Sequence, residues 1–354
     1  MGLKLKNLVI VSILAVALTG QSCAISGGGS GPRGVWKSED RAQTWSKINL
    51  VDTGQSRPSP ALDNIDVRSL LISPDTDNLV YASTPLGVFG SDSGGRIWYH
   101  ILENLSIRET VAAQADPQIL YAAGSETSGR GVVYKSNNRG KDWERKYIEA
   151  DLNEAASIAV NPRDAQHVLV GLNSGAMIVT FNGGESWNLV RTFLGRIQQI
   201  RFHSTDPRRI YLLVRGLGMF ASSNGGQSFD PSPRILIEDG DTTYRPRIYL
   251  SFDFAPSHPD VMYLTSDSGV FKTLNGGTTW RALRLPVDPS NALTIAVEVA
   301  QNGELLYVTV DTVVYRSLDG GATFNTEKLP TNRLIRAIVT NQANPDIVYL
   351  GLIE

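Results

Sequence analysis

Thr273-Leu274-Asn275-Gly276-Gly277-Thr278-Thr279-Trp280 is one of seven copies of an eight-residue turn, and the seven together decide the fold. The shared pattern is Ser/Thr-x-Asp/Asn-x-Gly-x-Ser/Thr, followed by Trp or Phe. Copies begin at Ser38, Ser91, Ser136, Thr180, Ser222, Thr273 and Ser317, and close on Trp45, Trp98, Trp143, Trp187, Phe229, Trp280 and Phe324. The third position holds Asp40, Asn138, Asn182, Asn224, Asn275 or Asp319, short side chains whose oxygens accept hydrogen bonds from the turn's own amides. Glycine at the fifth position supplies positive φ. Two copies are worn: Ala42 replaces the glycine of the first, and Ser93 replaces the Asp or Asn of the second. A metal site would need several oxygen ligands at each turn. The turns therefore read as structure, with each closing ring expected to tuck between sheets.

Outward from the turns, the closing aromatics stand 53, 45, 44, 42, 51 and 44 residues apart. That interval accommodates four short strands, and its sevenfold repetition predicts an all-β fold, a seven-bladed β-propeller of four-stranded antiparallel blades. Each unit opens with an apolar strand such as Leu70-Leu71-Ile72 or Phe252-Asp253-Phe254. A second strand carries a pair such as Val80-Tyr81 or Met262-Tyr263, and a third carries Val88-Phe89 or Val270-Phe271. The turn itself is the hairpin from third to fourth strand. From Arg333 to Glu354 there are only the first two strands of a unit, and from Gly31 to Leu50 only a third strand and a turn. The two fragments complement each other. Six continuous blades and one closed jointly by both ends are expected, leaving no open sheet edge.

Composition narrows the function classes. With 354 residues, 42% of them hydrophobic, and a net charge of −2, the chain can bury a large core and carries no overall positive field for nucleic acid. The four histidines, His100, His167, His203 and His258, have no metal-ligand spacing, and no cofactor motif occurs. Residues 1–23 have the layout of a secretory signal: Lys4 and Lys6, an apolar run from Leu8 to Leu18, then small and polar residues. Cys23 lies where a lipoprotein is cleaved and acylated, and residues 24–30 read as a flexible Gly/Ser tether to a propeller over 31–354. Gly20-Gln21-Ser22 lacks the aliphatic residue usual three positions before such a cysteine. Ordinary cleavage after Ala24, with Ser22 at −3, and a retained anchor stand as alternatives. The lipoprotein reading places the protein in the bacterial cell envelope, held to a membrane.

The turns resemble the bacterial neuraminidase repeat, or Asp-box, over almost all of Gly31 to Glu354. The longer unit is similar to propellers of the sortilin and xyloglucanase type. It is similar also to photosystem II assembly and stability factors, whose propellers are seven-bladed and whose cyanobacterial members are lipoproteins. The resemblance implies a fold more than a chemistry, because such turns sit on the scaffold of proteins with unrelated activities. Sialidases carry an early Arg-Ile-Pro segment, whereas the nearest string here is Tyr244-Arg245-Pro246-Arg247-Ile248, late and out of order. A xyloglucanase-like hydrolase needs two carboxylates across a cleft. Alignment of the first strands puts Asp253 and Glu298 on neighbouring blades, with Arg201 in the column of Asp253. An ion pair between blades is expected here rather than an acid/base pair.

The same alignment places Arg336, Arg68 and Arg108 in one column on three consecutive blades, at the starts of the strands that line the channel. Arg196, Arg247 and Arg333 belong to or adjoin the loops entering that face, opposite the turns. Guanidinium forks suit carboxylates and phosphates, so a protein partner with an acidic surface is expected. Glu109, Glu238, Asp239 and Asp241 offer the competing account, in which the arginines are neutralised internally. Long connections at Ser46 to Asn64 and Asp230 to Pro246 are expected to project on the same face. Five of the six tryptophans belong to the turns, and the sixth, Trp36, falls in a core strand, leaving no aromatic platform for a glycan. The sequence therefore reads as an exported, monomeric, non-catalytic binding propeller, with a membrane-complex assembly factor as its specific form. The alternative is a glycoside hydrolase or glycan-binding propeller.

Overall fold

The computed structural model describes residues 31–231, 237–239, 242–244, 246–288, 290, 292–300 and 303–354; the signal, Cys23 and the tether lie outside them. Seven four-stranded antiparallel sheets follow one another around a ring. Blade 1 consists of Ser69–Ile72, Val80–Thr84, Gly87–Ser91 and Tyr99–Glu103, from the channel outward. The innermost strands of blades 2 to 6 are Leu105–Ala113, Ala155–Asn161, Ile197–Phe202, Tyr249–Ala255 and Ile295–Val299. Blade 7 joins the two ends of the described chain. Leu334–Thr340 and Val348–Ile353 supply its inner half, and Gly34–Ser38 pairs antiparallel with Val348–Ile353, Trp36 opposite Leu350. Closure by both termini is as the sequence predicts. An additional hairpin, Ile237–Asp239 with Thr242–Tyr244, interrupts the repeat between blades 4 and 5.

Each turn is built by its own side chains. In all seven, the first-position hydroxyl accepts the fifth-position amide at 2.8–3.0 Å, Gly140 N to Ser136 Oγ at 2.8 Å for example. The third-position oxygen accepts the seventh-position amide at 2.8–3.2 Å, and Ser93 performs this role in the worn second turn. In the first turn Arg41 and Ala42 adopt φ 58 and 68, and in the third Arg139 adopts φ 59, the left-handed conformation that glycine takes in the remaining turns. Local hydrogen bonds thus hold a conformation that costs a non-glycine residue roughly 1–2 kcal/mol.

A second device fastens blade to blade. The second-strand tyrosines of blades 1, 4, 5 and 7 donate to the fourth-position carbonyl of the next blade's turn: Tyr81 to Arg139, Tyr211 to Gly276, Tyr263 to Gly320 and Tyr349 to Gly94. Tyr121 reaches Ala165 instead, at 2.9 Å. Tyr307, wholly buried at the junction with blade 7, has no partner for its hydroxyl among the described residues.

The closing aromatics are less uniform than their spacing suggests. Trp98 and Phe229 are buried, while Trp45, Trp143, Trp187, Trp280 and Phe324 are only half-buried. Trp98 owes its burial to the 46–64 connection, which folds back rather than simply projecting. Its Leu50 O accepts Trp98 N at 2.8 Å, its Ile48 O accepts Trp98 Nε1 at 2.6 Å, and its Val51 and Leu62 are buried. Of the second long connection, Asp230 to Pro246, only parts fall within the described residues.

Candidate functional site

The inner strands enclose a central channel of about 480 Å³. They all run in one direction, so their starts, with the loops that enter the blades, form one mouth, and the eight-residue turns crown the opposite face. Arg68, Arg108, Arg196 and Arg336 line the channel at this mouth. Arg68 Nη1 donates to Ser106 Oγ at 2.8 Å and to Ile107 O at 3.3 Å. Arg108 Nε pairs with Glu154 Oε1 at 2.7 Å. Arg196 Nε is buried without a hydrogen-bond partner, and Arg336 makes no side-chain hydrogen bond among the described residues. Arg336 is open to channel water, yet the walls close around it. Burial, followed by the charge of Arg108, pushes Arg68 down to about 10 and also lowers Arg196 and Arg336. The charge of Arg108 acts on all three, so the guanidiniums of this site repel one another.

The other two arginines expected at the patch do not line the channel. Arg247 is exposed outside the channel lining, and its backbone amide donates to Asp267 Oδ1 at 3.1 Å. Arg333 Nε donates to Gly31 O at 2.9 Å, and its Nη1 lies 4.0 Å from Glu354. Adjacency in sequence to the mouth loops did not carry these guanidiniums into the channel. Among the proposed neutralisers, Glu109 pairs with Arg201 rather than with the mouth, and the side chains of Glu238, Asp239 and Asp241 lie outside what is described. Glu154, which sequence reasoning missed, holds Arg108 from the loop entering blade 3. No periodic signal marks it.

Below the mouth the charged groups serve the ring itself. Arg201 Nη1 meets Glu109 Oε1 at 2.8 Å from two blades away, while Glu109 Oε2 accepts the amide of Ile158 on the blade between at 3.2 Å. Burial opposes the charge of Arg201, but Glu109, then Asp253 and Glu298, outweigh it and raise the guanidinium. Asp253 Oδ2 accepts Val299 N of blade 6 at 3.1 Å. Glu298 Oε1 accepts Thr340 N and Oγ1 of blade 7, both at 2.9 Å. Gln199 exchanges two bonds with the backbone of Phe252, and Ser157 Oγ donates to Ile197 O. Channel side chains of blades 1 to 6 thus each stitch to the backbone of the following blade. At the seventh junction, Arg336 makes no such stitch among the described residues.

The same stitching engages the Asp253 and Glu298 pair. Burial, opposed by Arg201 and by the amides of Phe254 and Val299, pushes Asp253 up to about 6. Burial and the negative charge of Asp253 raise Glu298 well above the ordinary range. Like charges in a confined channel make one of the two hold its proton. Each nonetheless spends an oxygen on a neighbouring wall, as their uncharged counterparts do. Phe202 and Phe252, the aromatic residues of the channel lining among the described residues, are themselves buried. Among the described residues no group of three or more His, Cys, Asp or Glu is placed to hold a metal ion.

No protein-family model matches this chain, and no curated protein does. Solved structures do match. The chain is a seven-bladed propeller. The GH74 xyloglucanase from Xanthomonas campestris aligns at TM-score 0.65 and 19% identity, over 81% of this chain and 51% of that one. YCF48 from Cyanidioschyzon merolae aligns at TM-score 0.59 and 17% identity, over 81% and 95%. YCF48 bound to D1 peptide aligns at 0.57 and 11%, over 82% and 94%. This chain therefore spans about half the length of the xyloglucanase, and nearly all of YCF48 is matched. At such identities the likeness is one of fold.

Proposed function

We propose that this protein is an exported, non-catalytic propeller whose channel mouth binds an acidic segment of a protein partner, in the manner of an assembly or stability factor for a membrane complex. The observation that carries the reading is the mouth itself. Among the described residues Arg68, Arg196 and Arg336 enter it without a carboxylate partner, while the acids deeper in the channel are engaged in stitching blades. A neighbour of the same fold binds a peptide, which supports a peptide-binding role for a propeller of this size. The seven turns are Asp-box repeats with a scaffold role. Cys23 is the acylation site, and the chain acts as a monomer at the envelope membrane.

Affinity capture from the native envelope, with the intact protein and with Arg68→Glu plus Arg336→Glu, tests the reading. Capture of a defined partner should be lost in the double variant while the ring stays folded, its thermal midpoint lowered only by the loss of the Arg68 bonds to Ser106 and Ile107. Undiminished capture refutes the role of the mouth. The glycoside-hydrolase reading rests on the raised pair Asp253 and Glu298. Turnover of a β-glucan that disappears in Asp253→Asn or Glu298→Gln would replace our reading with it.

A further inference from the structure

Charge at the channel mouth does not balance. Arg68, Arg108, Arg196 and Arg336 bring four positive charges into one cavity, and Glu154 is the one carboxylate paired with them among the described residues, so four less one leaves three. Asp66 and Glu109 also act on the cluster, but they pair with Arg33 and Arg201. The surroundings hold the guanidiniums in place despite their repulsion. Ser106 and Ile107 O brace Arg68, Glu154 fixes Arg108, and Arg196 Nε is left buried and unmade. Donors held ready without acceptors are costly in the empty site and favourable once an acceptor arrives.

We propose that the channel mouth is a binding site for a phosphate-class oxyanion carrying two or more negative charges. The proposal rests on the mouth being the binding surface, and gives it a ligand beside the acidic protein segment. A single carboxylate would leave two charges uncompensated, whereas a phosphate or pyrophosphate group nearly balances the cluster and presents several oxygens to forked donors. A cavity of about 480 Å³ admits a group of that size. The anion stops at the mouth, because Arg201 below is already matched by Glu109 and the floor beyond holds Asp253 and Glu298.

The phosphate has two possible sources, a free anion or a lipid headgroup. The second is credible because the chain enters the ring on the mouth face, where Gly31 O accepts Arg333 Nε. Loops on that face also carry apolar side chains in water: Leu194 is 94% exposed, Leu152 77% and Leu293 74%. Apolar tips beside cationic groups suit the boundary of a bilayer.

Titration calorimetry on the purified full chain distinguishes the cases, using pyrophosphate, a short-chain phosphatidate below its micellar concentration, and acetate. Saturable one-site binding of pyrophosphate identifies a free anion; binding of the phosphatidate alone identifies a headgroup; acetate should give no comparable heat. Loss of one charge-assisted contact predicts roughly tenfold weaker binding for Arg336→Gln. Arg336→Lys, which keeps the charge and loses the fork, should fall between. Should Arg68→Gln fail to fold, Arg336→Gln still decides the matter, since it breaks no hydrogen bond in the described structure. Neither phosphate binding, acetate binding as tightly, or affinity unchanged in Arg336→Gln would overturn the site. If the arginine variants lose partner capture although the parent binds no phosphate, this inference falls and the partner reading stands. If phosphate binds but capture ignores the arginines, the partner reading falls instead.

Discussion

The two faces of the ring are built on opposite principles. On the face of the eight-residue turns, every first-position hydroxyl and every third-position oxygen is engaged in the same two bonds, seven times over. At the channel mouth no such repetition exists: Arg68 is braced, Arg108 is paired, Arg196 Nε is buried without a partner among the described residues, and Arg336 faces channel water. Repetition with complete satisfaction is the mark of a scaffold. Departure from the repeat, with hydrogen-bonding capacity left over, is the feature on which the proposed binding surface rests.

The largest effect that sharpens this contrast is on the scaffold. Trp98→Ala should cost about 3–5 kcal/mol in urea unfolding, because the ring is wholly buried beneath the 46–64 connection. Trp187→Ala, at a half-buried ring, should cost distinctly less. Equal losses would show that the connection does not cover Trp98.

A smaller effect, of opposite sign, belongs to the channel floor. Asp253 has a folded-state value raised to about 6, from an ordinary value near 4. A raised carboxylate contributes stability that is complete below about pH 4 and lost as pH rises through about 6. Asp253→Asn should therefore stabilise the protein by about 1–3 kcal/mol at pH 7.5, with the gain vanishing at pH 4. A gain that persisted at pH 4 would show that the pair does not repel as described.

The tyrosine fasteners provide a finer test. Tyr121→Phe removes a buried bond to Ala165 and should cost about 1 kcal/mol. Tyr307→Phe removes a buried hydroxyl that has no partner, and should be neutral or slightly stabilising. Smallest of all is the effect at the mouth: Arg336→Gln should change stability by less than about 0.5 kcal/mol, since no bond is broken.

What the sequence disclosed, and what it did not, follows the reach of each interaction. The turns were legible because hydroxyl, carbonyl and amide lie within four residues of one another, as Ser136, Asn138 and Gly140 do. Blade count and closure were legible because the repeat is long and both ends are fragments of it. Column alignment found Arg68, Arg108 and Arg336, since strand starts keep their register around a ring. It also brought Arg201 close to Asp253, but the hydrogen-bonded partner is Glu109, two blades away in the channel. Arg247 and Arg333 were drawn into the patch by proximity in sequence, yet one faces solvent and the other holds Gly31. The cover over Trp98 was hidden because an irregular connection has no period from which to read its path.

The central claim is that the mouth, and not the turn face, meets the partner. Hydroxyl-radical footprinting of the captured complex against the free protein tests it most directly. Protection should concentrate on the segments containing Arg68, Arg108, Arg196 and Arg336, with Trp143, Trp187 and Trp280 at the turns unchanged. Protection confined to the turns, with the mouth as reactive as in the free protein, would contradict the account.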